Sequence, residues 1–82
     1  MLDNTLIKLK DNALKNPCLE SFEKVADHIR GKGQASTRFS GRSVGSACLS
    51  AADHLNEAYP DVRMSVTNIH NWCRVIIKVK RP

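Results

Sequence analysis

At 82 residues the chain is long enough for one domain, but it buries only about 60–65% of the surface its unfolded form exposes, so its core is thin. An apolar fraction of 41% argues against wholesale disorder, and a formal charge of +5 directs attention to anionic partners. No stretch approaches the roughly 18 apolar residues of a membrane span, and the N-terminal segment with Asp3 does not read as a signal peptide, so the expected compartment is the cytoplasm.

Leu2, Leu6, Leu9 and Ala13, widened by Leu14, recur at helical spacing and predict a first helix over residues 3–15. Asp3, Asn4 or Thr5 suits its N-cap. Asn16–Pro17 stops it, because the residue before proline avoids the α region. The same dipeptide opens a second helix, with Asn16 as N-cap and Pro17 at the first helical position. Cys18, Phe22, Val25 and Ile29 line one face of that helix, with Leu19 and Ala26 beside them, and Gly31 is its expected stop.

Residues 30–45, RGKGQASTRFSGRSVG, hold all four glycines of the chain and read as a flexible, basic, Gly/Ser-rich loop. Within it, Ala35, Thr37 and Phe39 alternate with polar residues, the pattern of a short extra edge strand near 34–40. Ser43 or Ser46 then caps a third helix with Val44, Cys48, Ala51, Leu55 and Ala58 on its apolar face, and Pro60 ends it. Val62, Met64 and Val66, and then Cys73, Val75, Ile77 and Val79, alternate with polar residues in two strands joined through NIHNW. The expected fold is a single α+β domain over residues 1–82: three helices plus a C-terminal antiparallel β-hairpin.

The charge is segregated. Arg30, Lys32, Arg38 and Arg42 fall in the glycine-rich segment, and Arg63, Arg74, Lys78, Lys80 and Arg81 follow residue 61, with no acid in either stretch. All eight acids share the rest of the chain with four lysines. Such segregation is the electrostatic footprint of a polyanion binder, although a solvated basic face can also serve solubility alone.

Motifs for chemistry are wanting. SGRSVGSA offers an anion-binding helix start, but three residues separate Gly41 and Gly45, where a P-loop has four, and no lysine follows, so it is no P-loop. Gly31 and Gly33 have one residue between them, where a KH loop has two. Three helices and a hairpin give the element order of a winged helix, but the connection before the third helix is too long for a helix-turn-helix, and Asp53 and Glu57 on that helix oppose a phosphate-lined groove. Cys18, Cys48 and Cys73 are an odd number for a disulfide framework and read as free thiols. His70 and Cys73 form one closely spaced ligand pair without a second, so no metal or cofactor is expected. No nucleophile–base signature is present, and the expected protein is not an enzyme.

Two functions follow. The first is a small non-catalytic nucleic-acid-binding accessory or regulatory protein: Arg30, Lys32, Arg38 and Arg42 contact phosphates, Arg74, Lys78 and Lys80 extend that surface along the hairpin, and Phe39 or Trp72 stacks on bases or serves as a docking anchor. The second is a small inhibitor or adaptor, of the kind phages and mobile elements make, that docks on an acidic surface of a larger protein complex. On either reading a homodimer is a natural way for so small a chain to add buried area.

Overall fold

The computed structural model describes residues 2–43 and 46–80. Its elements run α1 (Asn4–Lys15), α2 (Leu19–Gly31), β1 (Ser36–Arg42), α3 (Ala47–Ala58), β2 (Val62–Ile69) and β3 (Trp72–Val79). The mixed α+β class matches expectation. The C-terminal part is not a hairpin alone: β1 joins it in a three-stranded antiparallel sheet of order β1-β3-β2, with β3 in the centre. The middle of the expected flexible loop, Ser36–Arg42, is therefore strand, and its first two residues, Arg30 and Gly31, belong to α2. Residues 44 and 45 of that segment, Arg81, and Val44 as a core position lie outside the described residues.

Each terminus has a local cause. Asp3 caps α1, accepting from the Leu6 N–H at 3.0 Å, and its other oxygen lies 2.7 Å from His28 Nε2 on α2. The hydrogen bond from His28, and then that from Leu6, holds the Asp3 carboxyl below its ordinary pKa. Asn16 closes α1 rather than opening α2; the N-cap of α2 is Cys18, whose N–H bonds to Ser21 Oγ at 3.2 Å. The stop of α2 is Gly33, not Gly31. Its φ of 72° is the left-handed conformation glycine tolerates best. The Gly33 N–H bonds to Arg30 O and the Gln34 N–H to Ile29 O, the paired bonds of a Schellman motif. Ser46 occupies the N-cap of α3 without a side-chain capping bond. Ser43 is instead buried and donates to Leu14 O at 2.9 Å.

α1 lies against β1, α2 against β3, and α3 against β2. The helices cover one side of the sheet and leave the other open, in a molecule measuring 35 × 31 × 17 Å. The core between the layers is Phe22, Val25 and Ile29 from α2, Cys48 and Leu55 from α3, and Met64, Cys73, Val75 and Ile77 from the sheet. Cys18, expected on the apolar face of α2, is exposed, as is Leu2 at the start of α1. Gly41 serves packing rather than flexibility: a Cβ there would lie 2.8 Å from Leu14 Cδ1. His70 and Asn71, with φ of 51° and 64°, form a two-residue turn between the paired residues Ile69 and Trp72, the geometry that matches strand twist in a tight hairpin.

The two edges of the sheet differ. On β2, Asn56 of α3 acts as a surrogate strand: its Oδ1 accepts from Met64 N–H at 2.7 Å and its Nδ2 donates to Met64 O at 3.0 Å. On β1, the bonds Val79 N–H to Ala35 O and Ser43 N–H to Asn71 O show that the odd-numbered residues face β3. The backbone groups of Ser36, Arg38, Ser40 and Arg42 therefore point outward, where Lys10 Nζ donates to Arg38 O at 3.3 Å.

Candidate functional site

Side chains alternate across a strand, so the register fixes what the open face carries. Read across β1, β3 and β2, its rows are Ser36–Lys78–Arg63, Arg38–Ile76–Ser65, Ser40–Arg74–Thr67 and Arg42–Trp72–Ile69. Five positions are cationic, four are hydroxyl, and Ile76, Trp72 and Ile69 are apolar. None is acidic. All eight acids of the chain lie on the helices or in the short segments flanking them.

Among the described residues, Arg38, Arg42, Arg63, Arg74 and Lys78 form no ion pair; the pairs present are Lys24–Glu20, His28–Asp3 and Arg30 with Asp27 and Asp61. Arg63 and Lys78 stand directly opposite one another. Like charges in that position destabilise a sheet, by about 0.2–1 kcal/mol. Both side chains are exposed, so packing of the core does not require them there. Arg38, Ser40, Arg74 and Ile76 also line a shallow depression on this face.

The structure sorts the residues singled out by sequence. Arg38, Arg42, Arg74, Lys78 and Trp72 come together on the open face. Lys80 follows β3 and lines a second depression with Ser36, Arg63 and Lys78 at the far end of the sheet. Arg30 lies elsewhere, at the end of α2, and its guanidinium is engaged by Asp61 at 2.5 Å and Asp27 at 3.3 Å. Lys32 caps the same helix, away from the sheet face. Phe39 turns toward the helices: its ring stacks on Phe22 with centroids 6.3 Å apart, and Lys10 Nζ stands 5.9 Å from its centre. It belongs to the core margin and offers no ring to a ligand on the open face. Trp72, in contrast, is 49% exposed and its neighbour Ile69 60%.

Arg63 is the site residue that sequence reasoning left out. The signal was present: a two-residue turn at His70–Asn71 sets Ile69 opposite Trp72, and counting back places Arg63 opposite Lys78.

His70 sits in the exposed turn while Cys73 is buried toward the helices, so the one close-spaced pair of metal-ligand type diverges. Cys48 is likewise buried, 3.2 Å from Ser43 Oγ, and burial pushes its thiol pKa up, which disfavours a nucleophilic thiolate. What the open face can do chemically is attract and hold an extended polyanion. No helix of the described residues is long and apolar enough to cross a membrane. Comparison of the chain with protein-family models, with curated proteins and with solved structures returns no match.

Proposed function

We propose that this chain is a small, non-catalytic nucleic-acid-binding accessory or regulatory protein that lays its open sheet face along a phosphate backbone. The observation that supports the reading is a sheet face with no acid and with five cations that form no ion pair among the described residues, two of them held directly opposite each other at a cost in stability. Arg38, Arg42, Arg63, Arg74 and Lys78 contact phosphates, and Lys80 extends the row. The residues between them donate and accept hydrogen bonds through Ser36, Ser40, Ser65 and Thr67. Contacts of this kind position a nucleic acid without reading its sequence. The loop first suspected of clamping phosphates contributes through the arginines of β1.

The test is fluorescence anisotropy of labelled single-stranded and duplex oligonucleotides titrated with protein across a salt series. The expected result is a dissociation constant of roughly 10⁻⁴–10⁻⁶ M or tighter, with log affinity falling linearly as log salt rises. An Arg38→Ala/Arg74→Ala variant should bind more weakly and show a shallower salt slope. Absence of salt-sensitive binding to every oligonucleotide sinks the proposal.

The outward backbone of β1 favours a second reading, an inhibitor or adaptor. An exposed strand edge can accept a partner strand, and the adjoining basic face suits an acidic protein surface. On that reading, substitution of Ser40 by proline in β1 abolishes capture of the partner while oligonucleotides remain unbound.

A further inference from the structure

Resting on the nucleic-acid reading, the geometry points to a single strand as the ligand, with an unpaired base stacked on Trp72. The outer side of β3 reads Trp72, Arg74, Ile76, Lys78: aromatic, cation, apolar, cation, at intervals of about 6.8 Å. A single strand presents the same two kinds of group, apolar base faces on one side of its backbone and anionic phosphates on the other. The row spans about 20 Å, room for a short run of nucleotides. Arg42 and Arg38 flank it on β1, and Arg63 closes its far end on β2.

Trp72 is placed for this task. β3 is bonded on both sides, with Arg42 and Ile69 as the cross-strand neighbours of Trp72, and the tight His70–Asn71 turn fixes the end of the strand. The backbone beneath the indole is thus held by the sheet. The ring plays no part in the core cluster, and among the described residues no aromatic ring or cation covers it. Base–aromatic stacking on such a platform is sequence-tolerant, because every base has a π-face.

A duplex fits this face less well. Its base faces are hidden in the stack, so Trp72 and Ile76 would meet only backbone. The three strands span about 10 Å between their outer axes before side chains are added, against a major groove about 12 Å wide that admits a helix or a two-stranded ribbon. A broad sheet with arginines and a tryptophan projecting from it lies across such a groove rather than within it.

Trp72 is the chain's single tryptophan, so its fluorescence reports this contact directly. The experiment titrates the protein at low salt with oligo(U), oligo(dT) and a blunt hairpin duplex of equal length, following Trp72 emission and the anisotropy of an end label together. The expected result is saturable quenching by oligo(U) or oligo(dT) with the same midpoint as the anisotropy change, and weaker binding of the duplex without quenching. Trp72→Ala should lose on the order of tenfold in affinity for the single strands, with Trp72→Phe between it and the wild type, while its affinity for the duplex stays within about twofold. Duplex binding as tight as that of the single strands, or single-strand binding that leaves Trp72 emission unchanged, overturns the inference and leaves the nucleic-acid reading standing. Failure of all three oligonucleotides to bind overturns both. The wild-type quenching measurement needs no variant to fold.

Discussion

The two faces of the sheet are built from the same three strands, and neighbouring residues in those strands meet opposite demands. Toward the helices stand Phe39, Val62, Met64, Cys73, Val75, Ile77 and Val79; toward solvent stand Arg38, Arg63, Arg74, Lys78 and Trp72. Hydrophobic burial and close packing explain the first set. They do not explain the second. An ordinary solvated sheet face mixes signs, because opposite charges across strands stabilise and like charges do not. Here the acids are all on the helical side of the molecule or at its ends, where Asp27 and Asp61 take up Arg30 and Asp3 takes up His28. Among the described residues, part of the charge on the helical side is paired and both signs occur there, whereas the open sheet face carries charge of one sign alone. Fold and proposed function are thereby separated across the thickness of a single sheet.

The most forceful test of that separation uses two adjacent isoleucines. Ile77 is fully buried, and Ile77→Ala should cost about 2–5 kcal/mol of stability, the lost transfer energy plus a cavity. Ile76 faces the other way among Arg38, Ser65 and the hydroxyl positions, and Ile76→Ala should cost about 1 kcal/mol or less. Urea unfolding monitored by circular dichroism reads both. Equal losses would mean that the outer face is packed as the inner one is, and the comparison would collapse.

A smaller effect is expected at the boundary between the two layers. Asn56 reaches from α3 to both backbone groups of Met64, so Asn56→Ala leaves an N–H and a C=O of β2 without their partner. The expected cost is about 1–3 kcal/mol, together with faster amide exchange at Met64. The variant also exposes the β2 edge, and sedimentation at rising concentration should show self-association that the wild type lacks. If exchange at Met64 is unchanged, α3 does not guard that edge.

Much of the covered layer was legible in the sequence. The helical stripes of α2 and α3 and the alternation of β2 and β3 are strong periodic signals, and the structure places Phe22, Val25, Ile29, Cys48, Leu55, Val75 and Ile77 in the core they predict. β1 was legible only as an alternative to a loop. A seven-residue edge strand with the sequence STRFSGR has little β-branched or aromatic content, and its glycine and serines read as turn residues. The alternation of Ala35, Thr37 and Phe39 with polar residues suggested a short strand, and pairing with β3, a tertiary effect, carries it on through Gly41 and Arg42. The candidate site suffered in the same way. Arg38 and Arg42 were recognised, but as members of a flexible clamp; that they share a plane with Arg74, Lys78 and Trp72 follows from the β1–β3 register alone. Arg30 and Phe39 were grouped with them by proximity in sequence, and the fold sends one to an acidic pair and the other to Phe22.

The smallest expected effect bears most directly on why the outer face is charged. Lys78 stands against Arg63, so Lys78→Thr removes a like-charge opposition and should raise stability by about 0.2–1 kcal/mol at low salt. Threonine also suits a strand better than lysine does, and that part of the gain does not depend on salt. The electrostatic part does: with a screening length of about 30 Å at 0.01 M falling to about 3 Å at 1 M, the advantage of the variant should shrink as salt rises. Thermal unfolding of both proteins across that range separates the two contributions. The same substitution should weaken oligonucleotide binding and flatten its salt slope by roughly one charge contact. Gain in stability and loss in binding from a single change would show that the fold tolerates Lys78 for the sake of a ligand. A variant no more stable than the wild type at low salt would mean the opposed pair carries no strain, and the face would then be read as a solvated surface with no functional demand on its charge.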